Sequence, residues 1–190
     1  LLRSGVTQSA FARDGSSEVL LRVANRRATL APMPSTRTAP GIRRATRADV
    51  DALLALEEAT FDGDRISRAQ WRRHIGSDSA TVFVGGTSGS VDAAAVVFYR
   101  RNAHAARLYS LAVGAHARGT GLGSALLAAA DADARTRGCT LMRLEVRTDN
   151  VSAIVLYERR GYTRIARLPG FYEDGADGWR YAKVLAPGMP

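Results

Sequence analysis

The stretch Val113-Gly114-Ala115-His116-Ala117-Arg118-Gly119-Thr120-Gly121-Leu122-Gly123-Ser124 combines three glycines at close spacing with the start of an apolar helical pattern. A glycine-rich turn from strand to helix lets backbone amides crowd around an anion. The helix start adds N–H groups without intrahelical partners and the positive end of its dipole. That chemistry suits a pyrophosphate. Spacing separates the competing ways of binding one. A dinucleotide fingerprint running from Gly119 and Gly121 requires a third glycine where the chain has Ser124, and no acidic ribose partner ends a second parallel strand. A mononucleotide P-loop requires a lysine, and the chain's sole lysine is Lys183. What remains is R-x-x-G-x-G, from Arg118 to Gly123.

A second constellation lies downstream: Leu144-Glu145-Val146-Arg147-Thr148-Asp149-Asn150, then Ala153, Leu156-Tyr157-Glu158 and Gly161-Tyr162. Strand alternation over Thr140 to Arg147 sets Met142, Leu144 and Val146 on one face and Leu141, Arg143, Glu145 and Arg147 on the other. Glu145 is thus an acid on a mixed face, open to two readings: a general base, or an ion-pair partner of Arg143, Arg147 or a neighbouring strand. Tyr157 falls one turn after Ala153 on a helix that Asn150 is placed to cap. It reads either as a proton donor or as an amphipathic core tyrosine whose hydroxyl finds a backbone partner. His74, His104 and His116 read as packing or solvent-facing side chains. Cys139, after Gly138 at a helix-to-strand turn, reads as small buried filler.

The elements that must position these residues follow from periodicity. Ile42 lies in a short strand-like stretch. Thr46 and Asp49 form a capping-box-like start to a helix carrying Val50, Leu53, Leu54 and Leu56. A second helix starts at Ser67 with Gln70, carries Trp71 and Ile75, and stops at Gly76. Three strand-like runs, Thr81 to Val84, Val91 to Arg101 and Arg107 to Val113, form an antiparallel meander with turns at 86–89 and 102–104. A helix from about Gly121 to Arg137 carries Leu122, Leu126, Leu127 and Ala130 on one face. It is followed by strand Thr140 to Arg147, the Asn150 helix, and strands near Tyr162 to Arg167 and Trp179 to Leu185. The order is βααβββαβαββ, an α/β fold of about seven strands, mostly antiparallel, flanked by about four helices.

At 190 residues one folded domain is expected, over residues 41–190. Residues 1–40, rich in Ser, Thr, Arg and Pro without sustained periodicity, read as a flexible basic extension. The net charge of +9 raises a nucleic-acid hypothesis, but its distribution argues against one. Residues 1–47 hold nine Arg against Asp14 and Glu18, while residues 48–190 are nearly balanced. The longest uncharged apolar run, Ala93 to Tyr99, falls far short of the roughly 18 residues a membrane span needs. With a single cysteine there is no disulfide framework and no zinc-ligand cluster, so no metal is expected and a reducing, cytoplasmic setting fits best.

Taken together, Arg118 to Gly123 and Leu144 to Tyr162 resemble motifs A and B of the GNAT superfamily of acetyl-CoA-dependent N-acetyltransferases. The similarity spans about residues 41–185. Motif B has the form found in ribosomal-protein N-terminal alanine acetyltransferases. The resemblance implies the GNAT fold and acetyl-CoA as cosubstrate. It assigns the CoA pyrophosphate to the amides of Arg118, Gly119, Thr120, Gly121, Leu122, Gly123 and Ser124, and the pantetheine arm to the backbone of Leu111, Ala112 and Val113, with Asn150 and Ala153 beside it. It also implies direct attack of the amine without an acyl-enzyme, Glu145 as base, through a water relay, and Tyr157 as the acid that protonates the thiolate. The acceptor groove would be flanked by Phe61-Asp62-Gly63-Asp64-Arg65 and by the loop Pro169 to Gly178, with Phe61, Phe171 and Tyr172 as contacts. The acids Asp62, Asp64, Glu173, Asp174 and Asp177 would favour a cationic acceptor. The expected acceptor is a peptide or protein α-amine. Alternatives are lysine side chains, a small amine such as a polyamine or aminoglycoside, and a CoA-binding sensor without turnover. A monomer or homodimer is expected.

Overall fold

The computed structural model describes residues 41–61, 65–86 and 89–185. The N-terminal extension, Asp62 to Asp64 and the middle of the 86–89 turn lie outside them. The elements are β1 (Gly41–Arg44), α1 (Val50–Thr60), α2 (Arg68–Ile75), β2 (Ala80–Gly86), β3 (Ala93–Phe98), β4 (Ala105–Val113), α3 (Leu122–Thr136), β5 (Leu141–Arg147), α4 (Val151–Arg159), β6 (Thr163–Leu168) and β7 (Gly178–Val184). This is the order expected from the sequence. Among the described residues, no helix is long and apolar enough to cross a membrane.

Local chemistry sets the element boundaries. Thr46 and Asp49 close a capping box over a 3-10 turn that leads into α1, and Arg43 grips Asp49 through two bonds of 2.7 and 2.6 Å. That pairing holds the Asp49 carboxyl well below the usual carboxylate range. Ser67 and Gln70 form a second capping box at the start of α2. Strand β3 is shorter than the alternation suggests. Beyond Phe98, the chain turns through Arg100 to Ala103, with Asn102 in the left-handed region at φ 61°.

The seven strands form one sheet in the order β1-β2-β3-β4-β5-β7-β6. All neighbours are antiparallel except β4 and β5, which run parallel. One face packs Val82, Val84, Ala94, Val96 and Ala112 against Leu53, Leu56 and Trp71 of α1 and α2. The other packs Leu108, Leu111, Met142, Leu144 and Val146 against Leu126, Leu127 and Tyr157 of α3 and α4.

The parallel pair is brief. Only Ala105, Ala106 and Arg107 pair with Leu141, Met142 and Arg143. On the other side of β4, the register shifts: Val96 faces Ser110 but Val97 faces Leu108, leaving Tyr109 as an extra residue. Such a bulge bends its strand and increases its twist. It sits just past the last β4–β5 pair, so the two strands part there and the sheet forks toward the C-terminal ends of β4 and β5.

Candidate active site at the forked sheet

The glycine-rich turn joins the end of β4 to α3 beside this fork. Gly121 is the helix N-cap at φ 93°, a conformation that a side chain makes costly, and no side chain caps the helix. The first intrahelical bond runs from the Ala125 N–H to the Gly121 carbonyl at 2.9 Å. The amides of Leu122, Gly123 and Ser124 therefore have no helical acceptor. By contrast, α2 is capped by Ser67 and α4 by Asn150. At Gly123 the crowding is different: a Cβ would lie 3.2 Å from Leu156 and 3.5 Å from Val113, so glycine permits the close approach of β4, α3 and α4.

These segments line a groove of about 370 Å³. Leu111 and Val113 contribute from β4, Arg118, Gly119, Gly121, Leu122, Gly123 and Ser124 from the turn and α3, and Ala153 from α4. Ala112 points to the opposite core, so only its backbone is available on this side, and the Thr120 hydroxyl turns back to the Ala117 carbonyl at 2.6 Å. Four further residues line it that the sequence did not single out, Ala117 before the turn and Ser152, Leu156 and Arg159 on α4. The i, i+4, i+7 spacing of the three α4 residues is the signal that could have found them, since it places them on the Ala153 side of the helix. Asn150 is 1% exposed, and its Oδ1 accepts from the Ala153 N–H and the Ser152 hydroxyl, both at 3.2 Å.

Neither acid–base candidate lines the groove. Glu145 is 2% exposed on the α1–α2 side of the sheet, where Arg107 donates to Oε2 at 2.6 and 3.0 Å and Arg180 donates to Oε1 at 2.9 Å. The partners come from the flanking strands, β4 and β7, and not from Arg143 or Arg147. Sequence alternation gives Glu145's face but not the register that brings Arg107 and Arg180 beside it. Oε2 accepts twice, whereas Oε1 accepts once and keeps a second acceptor position.

Tyr157 is fully buried on the opposite side, against Tyr162 and Tyr181. Its hydroxyl has no hydrogen-bond partner among the described residues. Burial, and secondarily Tyr172, pushes its pKa well above the ordinary phenol value, so the phenol stays protonated. Tyr172 is also buried, with the Arg147 guanidinium 4.8 Å from its ring and Phe171 edge-on at 5.3 Å. Burial raises its phenol too, opposed by Arg147 and reinforced by Glu145. Tyr172 therefore sits within electrostatic reach of both Glu145 and Tyr157. Phe61, expected at the acceptor groove, instead packs into the core with Leu53, Ile66 and Trp71.

The acidic loop also departs from expectation. Arg147 pairs with Asp174 at 2.8 Å and Arg167 with Asp177 at 2.6 Å, so two of its three acids are partnered. Asp62 and Asp64 lie outside the described residues.

His74 packs edge-on against Phe98 at 5.0 Å, and burial, with Arg73 nearby, lowers its pKa to about 4. The unfolded chain binds this proton below about pH 6.5 and the native chain does not. Its stabilising contribution is thus complete above that pH and is lost as pH falls toward 4. Melting curves of wild type and His74→Phe are expected to diverge from pH 7 to pH 4, the variant losing less. Parallel curves would contradict the assignment.

Residues 50–162 match the family model described as Acetyltransferase (GNAT) family. The chain belongs to the GNAT acetyltransferase family. The solved ribosomal-protein-S18-alanine N-acetyltransferase from Escherichia coli is 25% identical to it, with a TM-score of 0.68 over 80% of this GNAT chain and 96% of its own. The ribosomal-protein-alanine N-acetyltransferase from Brucella melitensis is 28% identical, with a TM-score of 0.66 over 76% of this chain and 99% of its own. A mycothiol acetyltransferase from Thermobispora bispora is 30% identical over 73% of this chain and 52% of its own length. The GNAT chain spans about half the length of the curated relatives it matches.

Proposed function

We propose that this GNAT chain transfers acetyl from acetyl-CoA directly to the α-amine of a peptide or protein N-terminus. The observation that carries the reading is the coincidence of an uncapped helix start and a forked sheet at one groove. An extended thioester arm needs an unpaired strand edge to run along, and its pyrophosphate needs free amides. The residues fit that group: the amides of Leu122, Gly123 and Ser124, free of helical acceptors, with the Arg118 to Gly121 turn beside them, for the pyrophosphate, and the backbone of Leu111 to Val113, with Asn150 and Ala153, for the pantetheine. Arg159, exposed on the groove's α4 side, adds a cation for the remaining phosphate. Bound acetyl-CoA supplies the activated acetyl group.

Glu145 acts as base through a water held at a lone pair that the arginines leave open, which suits a carboxylate already anchored at both oxygens. Tyr157 gives its proton to the departing sulfur, since a buried hydroxyl without a partner is a donor in wait of an acceptor. Tyr172 and Phe171 hold the acceptor near the amine, while Phe61 shapes the end of α1. The two alanine N-acetyltransferases among the structural neighbours support a peptide acceptor. The mycothiol relative favours a small amine as the second reading.

The two separate in one reaction. A peptide with a free N-terminus and an internal lysine, incubated with acetyl-CoA and the chain, is expected to carry acetyl on its α-amine by tandem mass spectrometry. Acetyl on lysine alone, or turnover restricted to small amines, would refute the N-terminal reading.

A further inference from the structure

The half of the sheet formed by β5, β7 and β6 differs on its two faces. On the α3–α4 side, it is packed. On the side of Glu145, helices α1 and α2 cover β1 to β4, and the β5–β7–β6 surface is open, with Val184 77% and Ile165 53% exposed.

Register gathers positive charge on this open face. Arg143 pairs across the sheet with Arg107 on one side and Ala182 on the other, and Glu145 with Arg180. Three guanidiniums thus surround one carboxylate. Arg107 and Arg180 are both engaged by Glu145. Arg143 is exposed and makes no ion pair among the described residues, and Asp174 and Asp177 of the neighbouring 169–178 loop are engaged by Arg147 and Arg167, which leaves Glu173 as that loop's one acid outside an ion pair among the described residues. Arg143 also borders a depression of about 470 Å³ whose floor is apolar, with Leu141, Ile165, Ala182 and Val184. The depression begins two residues along β5 from Glu145, about 7 Å at the rise of a strand.

We propose that this face selects an acidic acceptor: a carboxylate at the second or third residue of the acetylated N-terminus binds Arg143, while the apolar floor takes the residues beyond. This rests on the N-terminal reading above and gives it a substrate class. It also reverses the cationic acceptor expected from the loop acids. An extended acceptor whose amine lies over the water at Glu145 and which runs along β5 advances about 3.3 Å per residue, so its third side chain falls beside Arg143. A surplus of two positive charges on a surface otherwise lined by apolar side chains and Thr163 attracts a carboxylate and repels a lysine.

The test uses the full chain, acetyl-CoA and peptides that differ only at positions two and three, with Glu, Gln or Lys. The expected kcat/KM for the Glu peptide exceeds that for Gln by about 5-fold, the size of an exposed ion pair, and that for Lys by about 25-fold, with the spread narrowing at high salt. Arg143→Glu is expected to invert the order and Arg143→Gln to flatten it. Arg143 is exposed and unpaired among the described residues, so both variants are expected to fold, which their melting temperatures check. Equal rates for the three peptides, or an order unchanged in Arg143→Glu, would overturn the acidic acceptor while leaving N-terminal acetylation standing. Transfer to none of the peptides, with small amines still acetylated, would overturn both.

Discussion

Gly121→Glu is expected to raise the Kd for acetyl-CoA by at least about 100-fold, equivalent to about 2.7 kcal/mol. Two effects combine. At φ 93° any side chain strains the backbone, by about 1–2 kcal/mol. More importantly, the new carboxylate would occupy the anion seat itself. A Cβ at Gly121 meets nothing within 4 Å, so the side chain is free to swing over the uncapped amides of Leu122, Gly123 and Ser124. A negative charge is welcome at a helix start, and this one would be intramolecular. It would also repel the pyrophosphate. Gly121→Ala separates the effects: it carries the backbone strain without the charge and is expected to weaken binding by only about 10-fold. Calorimetric titration of the two variants checks both values. A Kd for Gly121→Glu within about 3-fold of wild type would remove this helix start from the binding site.

Tyr157→Phe is expected to lower kcat by about 100- to 1000-fold with acetyl-CoA affinity unchanged, the range typical of losing a general acid. Its distinguishing feature is the accompanying stability. The hydroxyl is fully buried and has no partner among the described residues, so removing it relieves a desolvated polar group that costs about 1–3 kcal/mol. The variant should melt at the wild-type temperature or above it. A structural tyrosine would behave in the opposite way, losing stability while retaining turnover. Paired melting curves and steady-state rates therefore decide the role, and wild-type turnover in Tyr157→Phe would exclude the phenol from the reaction.

How much of this was legible before the structure depends on how local the signal is. The capping boxes at Thr46–Asp49 and Ser67–Gln70 and the Asn150 cap are written within a few residues, and each appears where the sequence placed it. The element order was equally legible, because periodicity and glycine stops are local too. The glycine turn and the helix it starts were legible from spacing, and the anion expected there is part of the proposal; acetyl-CoA comes from the family resemblance.

What could not be read are the non-local pairings. Arg107 and Glu145 are 38 residues apart and meet because β4 and β5 run parallel for only three pairs. That brevity goes with the bulge at Tyr109, which turns Leu108 and Leu111, three residues apart, to the same face where strict alternation would separate them. The neutralisation of Asp174 and Asp177 by Arg147 and Arg167 likewise depends on how the 169–178 loop folds back on its own hairpin. Counting loop acids therefore misses the arginines that partner two of them. Phe61 illustrates a different limit: a large apolar residue at a helix end serves a groove or a core equally well in sequence, and here it is 8% exposed within the α1–α2 core.

The most direct measurement is the rate at which the CoA thiol appears when the full chain is mixed with acetyl-CoA and an N-terminal peptide. The predicted result is release that saturates with both substrates, requires the amine and disappears in Gly121→Glu. Release that proceeds equally without an amine or in Gly121→Glu, or no release with any amine, would contradict acetyl transfer at this groove.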